Sequence, residues 1–288
     1  MTMRGPIMRF FLNEDINFLV TNRLPRRFAT QLIGRIARIE HPLVARPSIG
    51  LWKFFAGVDL SDARTTRFKS LRDGFVRPLR EGARAFDSDP DTLASPCDAL
   101  VGAHGLIEDD RLYQIKGFPY RLHDLIPDPA LVERFRDGSF VTLRLTAGMY
   151  HRFHAPADIA IEGVTYISGD CWNVNPIALK RVERLFCRNE RAVIEARTLI
   201  AGQPLLIVPV AAILVASIRL HCLDTERTLR ERGPGRTPCT ARVAKGEEMG
   251  WFEHGSTIIL FLPKGMRLAD HLTEGQAIRA GDVIGRPQ

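Results

Sequence analysis

Three observations predict an α+β fold, a β-rich body behind a helical, basic amphipathic N-terminal segment. Short β-prone runs separated by Gly, Pro, Asn and Asp begin near residue 93 and continue to residue 261. Ahead of them, residues 27–40 carry the period of a helix and not of a strand. The first 50 residues hold eight Arg, no Lys and three acids, so +5 of the net charge of +7 sits there. With 288 residues, 45% hydrophobic and 25% charged, the composition is ordinary for a globular protein. That is enough chain for one large domain with an appendage, here divided into residues 1–60 and 61–288.

The elements follow in order. On a helical wheel Phe28, Ala29, Leu32, Ile33, Ile36, Ala37 and Ile39 fill about half the circumference, with Arg27, Gln31, Arg35 and Arg38 opposite. Pro25 and His41-Pro42 bracket this helix. It either lies in the interface of an anionic membrane, arginines toward the phosphates, or packs on its own core with the basic face in water. Residues 42–60, with Pro42, Pro47, Gly50 and Gly57, read as a connector carrying Leu51, Trp52, Phe54 and Phe55. A short helix around 66–75 precedes Arg77-Pro78-Leu79-Arg80. Strands are expected at 140–145, 159–167, 192–196, 205–210, 213–220 and 257–261, and residues 224–248 read as a polar, mobile loop.

Several function classes fall away. The apolar run 205–218 is 14 residues long and contains Pro209, short of the roughly 20 that cross a bilayer. The apolar stretch at Phe10-Phe11-Leu12 is too short for a secretory signal, so a protein neither exported nor spanning is expected. Cys97, Cys171, Cys187, Cys222 and Cys239 are an odd set without a CxxC pair, which suggests a reduced compartment. No metal-ligand spacing is visible, and the basic segment lacks a nucleic-acid recognition motif.

Three clusters can carry chemistry. Tyr150-His151-Arg152-Phe153-His154 offers two histidines, either neighbours on a helix or, in an extended turn, facing different partners. Histidine is the side chain whose unperturbed pKa lies near neutrality, so both are candidate proton carriers, although two His this close also arise by chance. Asp98, in Ser95-Pro96-Cys97-Asp98, either orients a histidine or closes an Asx-turn on its own backbone. Gly255-Ser256-Thr257, entering Ile258-Ile259-Leu260-Phe261, taken alone is a turn.

Taken in order with their surroundings, these clusters resemble the phosphatidylserine decarboxylase family, the membrane-associated pyruvoyl enzymes of bacterial type. The likeness runs through Phe75-Val76-Arg77-Pro78-Leu79-Arg80, Ser95-Pro96-Cys97-Asp98, Lys116-Gly117 and Tyr150-His151-Arg152-Phe153-His154-Ala155-Pro156. It continues in Gly169-Asp170, Asn173-Val174-Asn175, Leu185-Phe186-Cys187-Arg188-Asn189-Glu190-Arg191, Gly246-Glu247-Glu248-Met249-Gly250, Phe252 and Gly255-Ser256-Thr257, covering residues 70–263.

The resemblance implies self-cleavage between Gly255 and Ser256, in which the serine hydroxyl attacks the Gly255 carbonyl and Ser256 ends as a covalent pyruvoyl cofactor. Chains of residues 1–255 and 256–288, the second of 33 residues, are expected to stay associated. Asp98, His154 and Ser256 match the family's triad, and His151 matches the histidine that protonates the product. Phosphatidylserine is the implied substrate, bound through a Schiff base and released as phosphatidylethanolamine after loss of CO2. A lipid substrate turns the helix 27–40 and the aromatic group into a docking surface, comprising Arg27, Phe28, Leu32, Arg35, Ile36, Arg38, Ile39, Trp52, Phe54 and Phe55. A peripheral place on the cytoplasmic side of the cell membrane, an anionic membrane surface and a homodimer are the other implied associations, with no nucleic acid and no metal. His254, where members have Leu or Val, and Cys97 and Ala99, where Ala and Gly are usual, depart from the pattern. Two rivals stay open: a cleavage-incompetent membrane-binding paralogue, and the same chemistry on another lipid with a serine headgroup.

Overall fold

A computed structural model describes residues 14–19, 26–115, 117–212, 218–253 and 256–287, with the side chains of residues 16, 26–29 and 31 left out. His254, Gly255 and Lys116, the 213–217 part of the strand expected at 213–220, and the side chains of Arg27 and Phe28 therefore lie outside the described residues.

In chain order the helices α1 (Glu14–Phe18), α2 (Arg26–Ala37), α3 (Pro42–Ala56) and α4 (Leu71–Phe75) come first. Next are β1 (Leu93–Ala94), β2 (Ala99–Leu106), β3 (Arg111–Ile115), β4 (Phe118–Arg121), α5 (Leu122–Leu125), α6 (Pro129–Phe135), β5 (Ser139–Leu145), β6 (Arg152–His154) and β7 (Ile159–Ile167). Then follow α7 (Pro176–Leu179), α8 (Leu185–Arg188), β8 (Arg191–Thr198), β9 (Pro204–Ala211), β10 (Ile218–Leu220), α9 (Thr225–Arg232), β11 (Gly235–Val243) and β12 (Glu248–Phe252). The chain ends in β13 (Ser256–Leu262), β14 (Met266–Leu268), β15 (Ala277–Ile278) and β16 (Val283–Pro287). The α+β reading with a β body holds.

The body is an antiparallel sheet in the order β11-β7-β8-β9-β13-β5-β2-β15. At its centre β13 pairs with β9 on one side and β5 on the other, and every one of its residues is buried. An unbroken apolar run such as Ile258-Ile259-Leu260-Phe261-Leu262 is what a strand covered on both faces needs. At the edge, β11 is largely exposed and carries Pro238, whose missing N–H is tolerated where one side of the strand has no neighbour. A small sheet β10-β12-β6 holds the Arg152–His154 segment beside this body.

Two expectations are corrected. Residues 42–56 are not a connector but the helix α3. Pro42 stands at its first turn, where a missing N–H costs nothing, His41 Nδ1 accepts from Leu43 N, and Gly57 ends it in the left-handed region at φ 60°. Of the residues that looked like linker punctuation, Pro42 and Gly57 mark its two ends, while Pro47 and Gly50 lie within it. Likewise residues 224–248 are not a loop: Asp224 caps α9 by accepting from Arg227 N, and β11 follows as the sheet's polar edge.

Helices α2, α3 and α4 pack on one another at one end of the sheet. Trp52 of α3 is buried among them, its ring 5.9 Å from Phe75 of α4 and its Nε1 donating to Ala147 O at 2.8 Å. It therefore leaves the set of docking residues: a side chain buried on this scale holds the helices to the body and is not part of the outer surface. Trp52→Ala is expected to cost about 3–5 kcal/mol, while Phe54→Ala, at a side chain 39% exposed, stays within about 0.5 kcal/mol. Thermal unfolding of the two variants checks the contrast.

Candidate active site

Ser256 opens β13, paired with Leu145 of β5 and Ala211 of β9. It is fully buried, and its Oγ has no hydrogen-bond partner among the described residues. A buried hydroxyl left so costs about 1–3 kcal/mol, and such exceptions concentrate where a protein does chemistry. Its neighbour is firmly held, because Asn189 Nδ2 donates to both Ala211 O and Trp172 O at 2.8 Å. A cavity of about 350 Å³ reaches Ser256 from the helical end, lined by Ile33, Trp52, Leu71, Phe75 and Arg144 among others.

His151 packs against Phe75, one of the residues that line this cavity. It is fully buried, its ring lies 4.0 Å from that of Phe75, and its Nδ1 lies 2.9 Å from Met149 O. A carbonyl only accepts, so Nδ1 carries the proton and Nε2 is the basic nitrogen of the neutral ring. The motifs around it are clamps. Arg77, buried, donates to Gly148 O at 3.1 Å and lies over the Trp52 ring, and Arg152 Nε donates to Val76 O at 2.8 Å while its Nη1 pairs with Glu248. Thus the 75–80 motif is tied on both sides of His151. Gly148 is obligatory there, since a Cβ would stand 2.6 Å from Ala56 O.

His154 is set differently. It lies at the end of an extended strand, and not one helical turn on from His151. Its Nδ1 donates to Gly246 O at 2.8 Å, which leaves Nε2 to accept from the Tyr150 hydroxyl at 3.0 Å. Burial is the main force on the ring and holds its pKa below the usual 6.5, against the opposing pull of the Gly246 bond and the Glu248 and Asp98 charges. Asp98 makes no hydrogen bond to His154. Its carboxylate is engaged by Arg84, Nε at 2.8 Å and Nη2 at 2.5 Å, and by Ala280 N at 3.0 Å. Arg84 also reaches Asp62, and the hydrogen bond to Asp98 chiefly raises its pKa. The segments are nonetheless adjacent, because His154 N donates to Pro96 O at 2.8 Å.

Two residues to which sequence reasoning assigned no role belong to this group. Tyr150 sits inside the 150–156 motif and was visible there. Arg84 follows the conspicuous 75–80 run by four residues, with nothing but its charge to distinguish it. Glu253, three residues before Ser256, is a third. Only 4% of its side chain is exposed, and it accepts from Arg72 at 2.7 Å and Arg38 at 2.8 Å, with Arg219 at 3.5 Å. Burial pushes its carboxyl up, but the hydrogen bonds from Arg38 and Arg72 outweigh this and bring the pKa to about 2.

That pairing also redirects Arg38, expected at a docking face, inward onto Glu253. Leu32, Arg35, Ile36, Ile39, Phe54 and Phe55 are exposed, with Leu43 and Leu51. Phe54 and Phe55 touch edge to face. Among the described residues no helix is long and apolar enough to cross a membrane, and no group of three or more His, Cys, Asp or Glu could hold a metal ion.

Comparison with known proteins gives this site its setting. A family model described as phosphatidylserine decarboxylase matches residues 71–286, from α4 to the end of the body. The chain is 35% identical over 283 residues to the phosphatidylserine decarboxylase proenzyme of Erwinia tasmaniensis, covering 94% of each chain. It is 37% identical over 273 residues to that of Halorhodospira halophila, covering 91% of each. The proenzyme of Haemophilus influenzae is 33% identical over 270 residues, covering 91% of this chain and 92% of its own. These likenesses make the protein a decarboxylase, a carbon–carbon lyase. The chain belongs to the phosphatidylserine decarboxylase family.

Glu253 gives a pH signature. Its folded pKa of about 2 lies below the unfolded 4.5, so the stability it contributes is present above pH 4.5 and is lost as pH falls toward 2. Glu253→Gln is expected to lower stability at pH 7 by about 2–3 kcal/mol and to flatten the loss between pH 4.5 and 2. Unfolding midpoints across that range, for both proteins, measure it.

Proposed function

We propose that this protein decarboxylates phosphatidylserine to phosphatidylethanolamine and CO2, through a pyruvoyl group that it makes from Ser256 by cutting itself between Gly255 and Ser256. The observation that carries the reading is the Ser256 hydroxyl, buried without a partner at the head of a central strand and on a cavity that reaches the helical end. In the cut, Oγ bonds to the Gly255 carbonyl carbon and the C–N bond breaks, leaving an ester. Elimination then releases the Gly255 carboxylate, and water converts the remaining dehydroalanine to the ketone and ammonia.

A serine hydroxyl needs a base for this. His154 fits: the burial that lowers its pKa keeps it neutral at pH 7, and Gly246 O fixes the tautomer with the lone pair on Nε2. Tyr150 holds that lone pair until it is needed. Asp98 acts through its field, because its charge favours the imidazolium that forms when His154 takes a proton. The residue's own position suits the group, since Ser256 stays anchored by β13 while its side chain adjoins the cavity. When formed, the pyruvoyl group supplies a ketone for the substrate amine and an electron sink for the bond that releases CO2. His151, held at Nδ1 by Met149 O beside Phe75, takes and returns a proton at Nε2 and so replaces the lost carboxylate on the substrate carbon.

The acyl chains stay in the membrane, and the headgroup must come to the protein. Exposed Leu32, Ile36, Ile39, Leu43, Leu51, Phe54 and Phe55 lie on or beside helices α2 and α3, whose Ile33 and Trp52 line the cavity. We place this face on an anionic bilayer, peripheral and cytoplasmic, with Arg35 toward lipid phosphates. The first 60 residues act as the docking segment and residues 61–288 as the catalytic domain, its two chains held together by β13.

Ser256→Ala is expected to remain a single chain of 32.4 kDa without decarboxylase activity on phosphatidylserine vesicles, whereas His151→Ala cuts itself yet releases no CO2. An active Ser256→Ala protein defeats the reading. Phe54→Asp/Phe55→Asp protein is expected to cut itself normally and to co-sediment at least about fivefold less with phosphatidylserine-containing vesicles, and unchanged sedimentation contradicts the docking face.

A further inference from the structure

Arg144 lines the cavity that reaches Ser256, and it differs from the other cations of the site. On β5 it pairs with Thr257 of β13 and Leu100 of β2, one register position inside the Leu145–Ser256 pair. Neighbouring strands lie about 4.8 Å apart and successive residues about 3.4 Å along a strand, so its backbone stands a single step from the reacting residue. It is mostly buried, and burial alone pulls its guanidinium below the ordinary arginine value. Arg38, Arg72, Arg84 and Arg152 each meet a carboxylate, and buried Arg77 and Arg191 donate to carbonyls. Among the described residues Arg144 has neither.

A mostly buried cation without a counter-charge is costly to keep. In a cavity, the missing partner is an anion that comes and goes. We propose that Arg144 is the residue that binds the phosphodiester of the lipid headgroup beside Ser256, an inference that rests on the function proposed above.

The substrate offers two anions, and their fates separate them. The carboxylate leaves as neutral CO2, so a cation held on it stabilises the ground state more than the transition state and slows the reaction. The phosphodiester keeps its charge from substrate through product, and its two free oxygens match the fork of a guanidinium. A cation there binds substrate, transition state and product alike, which acts on KM and leaves kcat unchanged.

The test compares wild-type protein, Arg144→Gln and Arg144→Lys on dihexanoyl phosphatidylserine, with dihexanoyl phosphatidylethanolamine as inhibitor. For Arg144→Gln the expected result is a KM and an ethanolamine-lipid inhibition constant both raised about 10–100-fold, kcat within about twofold, and partial recovery in Arg144→Lys. A raised KM with unchanged inhibition by the ethanolamine lipid would put Arg144 on the carboxylate and overturn the proposal. So would an unchanged KM, or a loss confined to kcat. If Arg144→Gln remains uncut, or the wild type shows no turnover, dihexanoyl phosphatidylethanolamine is titrated by calorimetry into Ser256→Ala chains with and without Arg144→Gln. Weaker binding in the double variant supports the assignment and equal binding overturns it. An inactive wild type whose lipid binding still depends on Arg144 would count against the proposed reaction and not against the phosphodiester site.

Discussion

Strand β13 is the constraint on which the rest depends. It is hydrogen-bonded on both sides, to β5 and β9, and Ile258, Ile259, Leu260, Phe261 and Leu262 are fully buried along it. Each such side chain stabilises the fold by roughly 1.5–3 kcal/mol. A chain held along its whole length in this way remains in place even when the peptide bond before Ser256 is cut, because the pairing and burial of residues 257–262 do not depend on that bond. The same burial leaves Ser256 Oγ without a hydrogen-bond partner among the described residues, at the head of the strand and on the cavity. The placement that buries the strand is thus also the one that sets this hydroxyl on the cavity.

Around Ser256 the two histidines are held by backbone carbonyls and the carboxylates by arginines, while Arg144 alone of the site's cations named above meets neither a carboxylate nor a carbonyl among the described residues. His151 and His154 each give Nδ1–H to a backbone carbonyl and keep Nε2 as the acceptor. The carboxylates of Asp98 and Glu253 are committed to arginines, Arg84 for the first and Arg38 and Arg72 for the second. Those arginines come from the segments that precede the body, so the helical end is joined to the Ser256 region by part-buried ion pairs as well as by Trp52. Pairs of this kind are weak sources of net stability but strongly resist loss of one partner, which fixes the end of α2 against the residues just before the proposed cut.

Much of this was legible in the sequence, for identifiable reasons. The β-branched runs at 140–145 and 159–167 are bounded by turn residues and became β5 and β7 almost unchanged. Asp98, His151, His154 and Ser256 stood out because their order and neighbours form a pattern, and that pattern carries no information about which hydrogen bonds they make. His154 is oriented by the carbonyl of Gly246, and a carbonyl belongs to every residue alike. Asp98 meets Arg84, and Glu253 meets Arg38, Arg72 and Arg219, across separations that no local periodicity records. Helix α3 was hidden for a different reason: Pro42 and Gly57 serve a helix start and a helix stop as readily as a linker, so Trp52 looked like surface. Arg144 was passed over because a lone arginine in a strand is ordinary until the lack of any partner is seen.

The central claim is that this chain cuts itself at Ser256 and stays assembled. The intact mass of the wild-type protein, taken after purification in native buffer and then under denaturing conditions, tests it most directly. The account predicts one native species that separates on denaturation into chains of residues 1–255 and 256–288, the smaller with a blocked N-terminus and a mass lower than its sequence by the exchange of the serine amine for a ketone. A single denatured chain of 32.4 kDa in protein that decarboxylates phosphatidylserine would contradict it.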